Sequence, residues 1–143
     1  MKLSRTVSYA LQATLQLAKA HSSAPVPCSR LASEGKMPER FLLQILRGLV
    51  AHGILGSTRG MGGGYTLART PEDISLLEII EAIEGPLTPT IPACDGLPHD
   101  CHTKLEEALA EVTASARREL AAIKLAHLLA HPSRSRDGSD RNR

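Results

Sequence analysis

Tryptophan is absent from this chain of 143 residues, which holds one phenylalanine and two tyrosines. Its core must therefore be made of leucine, isoleucine, valine and alanine, a mixture that favours helices. Cysteine is scarce and odd in number, at three, which argues against the disulfide framework of a small secreted domain. No run of about 18 apolar residues occurs, so no membrane-spanning helix is expected. No apolar N-terminal stretch precedes a small-residue cleavage site, and the expectation is a soluble cytoplasmic protein. The length suits one domain, or one domain with an extension.

What is present is unevenly charged. Residues 1–70 carry nine Lys/Arg and two Asp/Glu, a balance of +7, whereas residues 71–131 carry four and eleven, a balance of −7. The last twelve residues add four Arg and two Asp and restore the total of +2. A basic half beside an acidic half suggests that the first meets a polyanion while the second does something else.

Leu3, Val7, Ala10, Leu11, Thr14, Leu15 and Ala18 recur at helical spacing and predict an amphipathic helix over 3–20. The stretch from His21 to Pro27 reads as a loop, because two prolines in three positions cannot continue a helix. A short helix from Cys28 to Glu34 follows, with Gly35 as its natural stop. Pro38 sits where a helix favours its first residue, and Phe41, Leu42, Ile45, Leu46, Leu49 and Val50 then form an apolar face over 38–51. Two helices joined by so tight a turn make a helix-turn-helix, whose second helix offers residues near its start to base edges. Arg40 and Gln44 are the candidates for guanine and adenine, Leu43 for an apolar contact, and Arg47 lies on the same outer face.

The stretch Arg59-Gly60-Met61-Gly62-Gly63-Gly64-Tyr65 decides between a DNA-binding motif and an ordinary helical hairpin. Extended residues flank it, Ile54 to Thr58 before and Tyr65 to Leu67 after, so Gly60 to Gly64 form the tip of a two-stranded hairpin. A hairpin directly after a helix-turn-helix is a wing. Arg59 can then enter the minor groove, while the bare backbone of Gly60, Gly62 and Gly63 approaches phosphates. A nucleotide-binding loop is the rival reading, and it fails: Tyr65 stands where G-x-G-x-x-G needs glycine, no Lys-Ser/Thr pair follows, and no helix begins there.

Further on, Ser75 and Glu78 form a capping box that opens a helix from Leu76 to Glu84, and Gly85-Pro86 closes it. Prolines and Gly96 make 87–100 an irregular loop, and Thr103 with Glu106 reads as a second capping box. Leu105, Leu109, Val112, Ala116, Leu120 and Ile123 then run as a stripe along a long helix. With little else in the chain to cover it, that stripe is expected to meet the same helix of a second copy. The organisation is thus a DNA-binding half over 1–70, a sensor loop with dimerisation helices over 71–131, and a disordered tail over 132–143.

Met1-Lys2-Leu3-Ser4 with Tyr9-Ala10-Leu11, the helix pair from Leu31-Ala32 to Phe41-Leu42, the run Arg59 to Ala68 and Ile83-Glu84-Gly85-Pro86 together resemble the winged-helix regulators related to IscR, NsrR and CymR. The resemblance spans about 1–130. It implies a mainly α fold with a small β-hairpin, a winged helix-turn-helix followed by a long dimerisation helix. It implies a homodimeric bacterial transcription factor, commonly a repressor, on a palindromic double-stranded operator. It places Arg59 in the minor groove and Gln44 on the recognition helix. Many members of that family hold an iron-sulfur cluster in this loop through three cysteines. Cys94 and Cys101 match the first and last of them, and the middle one is missing. Lys104 replaces a histidine ligand of one branch, and Ser8 stands where another supplies a carboxylate.

His99 and His102 flank Cys101, and thiolate with imidazole suits a two-iron, two-sulfur cluster or zinc. Two thiols in a loop also suit a disulfide switch, and a pair that binds no metal is the plain alternative. The reading overall is a dimeric DNA-binding regulator responding at Cys94 and Cys101. Its rival is a protein-interaction module that uses the same helix-turn-helix surface. An enzyme is not expected, because the loop shows no positioned nucleophile and base.

Overall fold

The computed structural model describes residues 1–20 and 23–129. The tail expected over 132–143 lies outside the described residues. Eight elements follow in order: α1 (Arg5–Lys19), α2 (Cys28–Gly35), α3 (Glu39–Ala51), β1 (Leu55–Thr58), β2 (Gly64–Leu67), α4 (Leu76–Glu84), α5 (His99–Ala122) and α6 (Leu125–Leu128).

Each helix of the first half begins and ends for a local reason. Ser4 caps α1, its hydroxyl accepting from the Val7 amide at 3.2 Å. The end of α3 is a Schellman turn: Gly53 takes a left-handed φ of +71°, its amide donates to Val50 and the Ile54 amide donates to Leu49. Pro38 is the N-cap of α3 and not its first helical residue.

The stop of α2 differs from the expectation. Gly35 is still helical, and Lys36 takes the left-handed position at φ +52°. Gly35 needs no special angle and is closely packed by the ends of two flexible side chains. A Cβ there would lie 2.6 Å from Met37 Cε and 2.7 Å from Gln12 Nε2, and Gln12 Nε2 donates to the Gly35 carbonyl at 2.6 Å. The residue that ends α2 is thus the one that lets α1 close against it.

Val7, Ala10, Ala13, Thr14 and Leu17 of α1, Leu31 of α2 and Leu42, Ile45, Leu46 and Leu49 of α3 are buried. Most of them share a single cluster with Leu55 of β1, Ile74, Ile79 of α4 and Leu125 of α6. The acidic half therefore supplies part of the basic half's core. A second cluster joins Val7 to Leu76, Leu77 and Ile80 of α4 and Leu120 of α5.

The hairpin is antiparallel, with Leu55 opposite Leu67, Ser57 opposite Tyr65 and Thr58 opposite Gly64. Its inner row, Leu55 with Tyr65 and Leu67, packs on the core. The proline-flanked stretch adds a third partner. Val26 exchanges two backbone hydrogen bonds with Tyr65, at 3.0 and 2.8 Å. Pro25 and Pro27 have no N–H to extend this ladder, which limits the pairing to one residue.

The capping box on α4 forms as the sequence indicates, with Ser75 and Glu78 each bonding the other's backbone amide. Burial alone would raise the pKa of Glu78, but the Ser75 amide and the Arg69 guanidinium, 2.7 Å away, hold it net below the usual carboxylate value.

The second capping box does not form. α5 begins at His99, with Pro98 as N-cap, and the Thr103 hydroxyl donates to the His99 carbonyl from within the helix. Proline at the N-cap supplies an extended residue just before the helix, so the start falls four residues before Thr103. The helix ends at Ala122, and Ile123 is its cap, not part of the stripe. There the Leu76 amide donates to Ile123 O at 2.8 Å, and the Leu125 amide to Ile74 O at 2.9 Å, pinning the segment after α5 to the entry of α4.

Candidate nucleic-acid interface

The apolar face of α3 is consumed by the core except for Phe41, which is exposed and meets Tyr9 edge-on, and this packing turns Arg40, Gln44 and Arg47 outward. All three are exposed, Pro38 is exposed at the start of the helix, and Leu43 is half-buried beside them. Positions 40, 44 and 47 lie on one helical face. Arg59, Gly60 and Gly62 of the hairpin are exposed as well, and Gly63 is half-buried.

Gly60 and Gly62 have φ of +94° and +76° with open space around them, so at these two positions glycine is required by angle. Gly63 is required by contact, and Gly64 by contact as well as by its φ of +152°. A Cβ on Gly63 would meet the Thr58 carbonyl, and one on Gly64 would meet the backbone of Val26. Glycine therefore serves two ends in one loop, and the side chain of Met61 stands fully exposed at its tip.

The arginines sort by partner. Arg30 pairs with Glu34, Arg69 with Asp73 and Glu78, and Arg117 with Glu81. Arg40, Arg47 and Arg59 enter no ion pair with another described residue, and neither do Arg5 and Arg118; the outer face of α3 and the wing thus carry three of the uncompensated arginines. That distribution of charge suits a polyanion.

The second candidate region is less gathered. Cys94 is exposed in the loop before α5, with the Leu97 amide donating to its carbonyl at 3.1 Å. His99, Cys101 and His102 lie in the first turn of α5, not in the loop. His102 is half-buried, and its Nδ1 is 3.6 Å from Glu106. Among the described residues no three His, Cys, Asp or Glu side chains come together as a metal-holding group. Two thiolates and two imidazoles of one chain, so arranged, do not fit an iron-sulfur cluster or a zinc ion. Cys28, at the start of α2, is half-buried. Burial, with the Glu39 carboxylate nearby, pushes its thiol above the ordinary value.

Comparison with known proteins agrees with this architecture. The family model described as Rrf2, an iron-dependent transcriptional regulator, matches residues 3–131. The chain belongs to the Rrf2 family. An rrf2-like HTH-type transcriptional regulator of Rhodobacter capsulatus is 32% identical over 120 residues, covering 77% of this chain and 80% of the relative. The solved structure of CymR (YrzC), the global cysteine regulator of B. subtilis, has a TM-score of 0.72 at 29% identity, over 90% of this chain and 96% of that one. IscR of T. potens gives 0.68 at 32% identity, over 90% and 86%.

The mainly helical architecture with its two-stranded antiparallel hairpin is the winged-helix fold of these regulators. This Rrf2 protein is accordingly a DNA-binding transcriptional regulator and not an enzyme. The protein-interaction alternative is not favoured. Among the described residues no helix is long and apolar enough to cross a membrane.

Two residues that shape the candidate interface escape a reading of the sequence. Ser57 shares the inner face of β1 with Leu55 but lies beyond the core, exposed beside α3; the alternation of the strand could have found it. Val26 anchors the wing, and its only signal is the pair of prolines around it.

Proposed function

We propose that this regulator acts as a homodimer in the cytoplasm on a palindromic operator. Each α3 enters the major groove, with Pro38 at its approach to the backbone and Arg40, Leu43 and Gln44 at base edges. Arg59 enters the adjacent minor groove, and the wing glycines lie along the phosphates. Residues 1–70 hold DNA, and residues 71–131 dimerise and receive the signal. The observation that supports this reading is that three exposed arginines without an ion pair among the described residues, Arg40, Arg47 and Arg59, lie on the outer face of α3 and on the hairpin that follows it.

Arg59→Ala is expected to weaken binding to a selected genomic duplex by about 1–3 kcal/mol and to narrow the gap between selected and random DNA. Fluorescence anisotropy at fixed salt measures both. Unchanged affinity and selectivity would remove Arg59 from the groove.

The signal is received at Cys94 and Cys101. Both thiols are exposed, whereas Cys28 is half-buried with a raised pKa. In protein purified without oxygen, a disulfide-exchange reagent at pH 7 is expected to label two thiols quickly and Cys28 slowly. Iron or zinc content with protected Cys94 and Cys101 would show instead that the assembled dimer gathers the donors, with His99 and His102 as the next ligands to replace. The family's description as iron-dependent makes that measurement the first to do.

A further inference from the structure

Between the third turn of α3 and the wing lies a cleft of about 330 Å³ whose lining includes Arg47, Val50, Ser57, Thr58, Arg59 and Tyr65. It holds two guanidinium groups and no carboxylate. Neither arginine is paired with another described residue, and the Ser57 and Thr58 hydroxyls are exposed. Cations and hydroxyls around an unlined opening are the donor set for a phosphate oxygen.

The geometry of α3 says which phosphate. Arg47 is seven residues beyond Arg40 on the same face, about 10 Å along the axis at 1.5 Å per residue. The major groove is about 12 Å wide. With Arg40 at base edges, Arg47 has reached the groove wall, where β1 of the wing meets it from the other side.

We infer that this cleft seats one phosphodiester of the operator backbone, held by Arg47 from α3 and by the Ser57 hydroxyl from β1. This rests on the DNA reading given above and deepens it. Arg47 then positions the protein without reading sequence, and Ser57 becomes a DNA-binding residue. Arg59, at the rim, is left to continue into the minor groove. The cleft joins the two reading elements through a single phosphate.

The test is titration of a selected genomic duplex and of a random duplex over a range of salt, with the full-length parent, Arg47→Ala, Arg47→Lys, Ser57→Ala and Gln44→Ala. Arg47→Ala is expected to lower affinity for both duplexes by the same factor and to reduce the slope of log K against log salt by about 0.9 for each chain bound. Arg47→Lys keeps the slope, since a point charge still meets the phosphate. Ser57→Ala lowers both affinities with the slope intact. Gln44→Ala loses selectivity.

A parent that binds no duplex overturns the DNA reading and this inference together. A parent that binds while Arg47→Ala keeps the slope, or loses selectivity as Gln44→Ala does, overturns this inference alone. Inorganic phosphate at matched ionic strength that lowers the parent's affinity but not that of Arg47→Ala would show the free anion competing for the same seat and would support the inference. Arg47 is exposed on a helix surface, and an unchanged melting curve separates a lost contact from a lost fold.

Discussion

Gly64→Ala is expected to be the most damaging single-methyl change in the wing. The position has φ of +152°, where an L-residue is strained at a cost of about 1–3 kcal/mol. Its Cβ would also overlap the Val26 carbonyl and lie 2.7 Å from the Pro27 nitrogen. Neither neighbour is a flexible side-chain end. Relief requires the hairpin to move off Val26, which breaks the two hydrogen bonds of the Val26–Tyr65 pair. Denaturant titration should show a loss larger than that of Gly62→Ala, a position with positive φ but open space, where about 1–2 kcal/mol is expected. Hydrogen exchange at the Val26 and Tyr65 amides should accelerate in Gly64→Ala alone. Equal stabilities for the two variants would mean that the contact with Val26 does not hold the wing.

The second large effect is expected at the other end of the molecule. Val112 is 64% exposed and Leu105 42%, with Leu109 and Ala116 half-buried between them and the core, on a helix of 24 residues. Only Leu120 of α5 is buried. If two such helices pair about a twofold axis, each Val112 meets the partner's equivalent surface, and Val112→Glu places an unpaired carboxylate there twice. Burying a charge without a partner costs several kcal/mol, so the dimer dissociation constant should rise by at least about 100-fold. Sedimentation at micromolar concentration should show monomer where the parent is dimer. Affinity for a palindromic duplex should fall accordingly, although α3 and the wing are untouched. A variant that stays dimeric would move the interface off this stripe.

Much of the fold was legible because its determinants are local. The periodicity of Leu42, Ile45, Leu46 and Leu49 needs no tertiary knowledge, and neither does the Ser75–Glu78 box. Where the reading failed, a local pattern had a non-local competitor. Gly35 looked like a stop by its type, but its place is set by Gln12 and Met37 from outside α2. Thr103 and Glu106 have the spacing of a capping box, yet Pro98 starts the helix earlier and leaves Thr103 an interior position.

The outward face of α3 was legible for the same reason as the helices. Arg40, Gln44 and Arg47 are outward because the alternate positions are committed to the core, and the hairpin register follows from Leu55 and Leu67. The cleft that Arg47 shares with Ser57 was not, since it depends on how α3 and β1 approach one another. The cysteine-bearing region was least legible. Its cysteines can be counted in the sequence, but which side chains face each other depends on the start of α5 and on a second chain.

The single-residue ladder at Val26 has a consequence for what this regulator can recognise. It ties the wing to a residue two positions before α2, and α2 packs on α3. If α3 and Arg59 read the operator as proposed, they are two marks on one stiff ruler. An operator in which the major-groove and minor-groove features are separated by an extra base pair is then expected to bend or to lose one contact. The protein's tolerance for variation lies within each feature, not in the spacing between them.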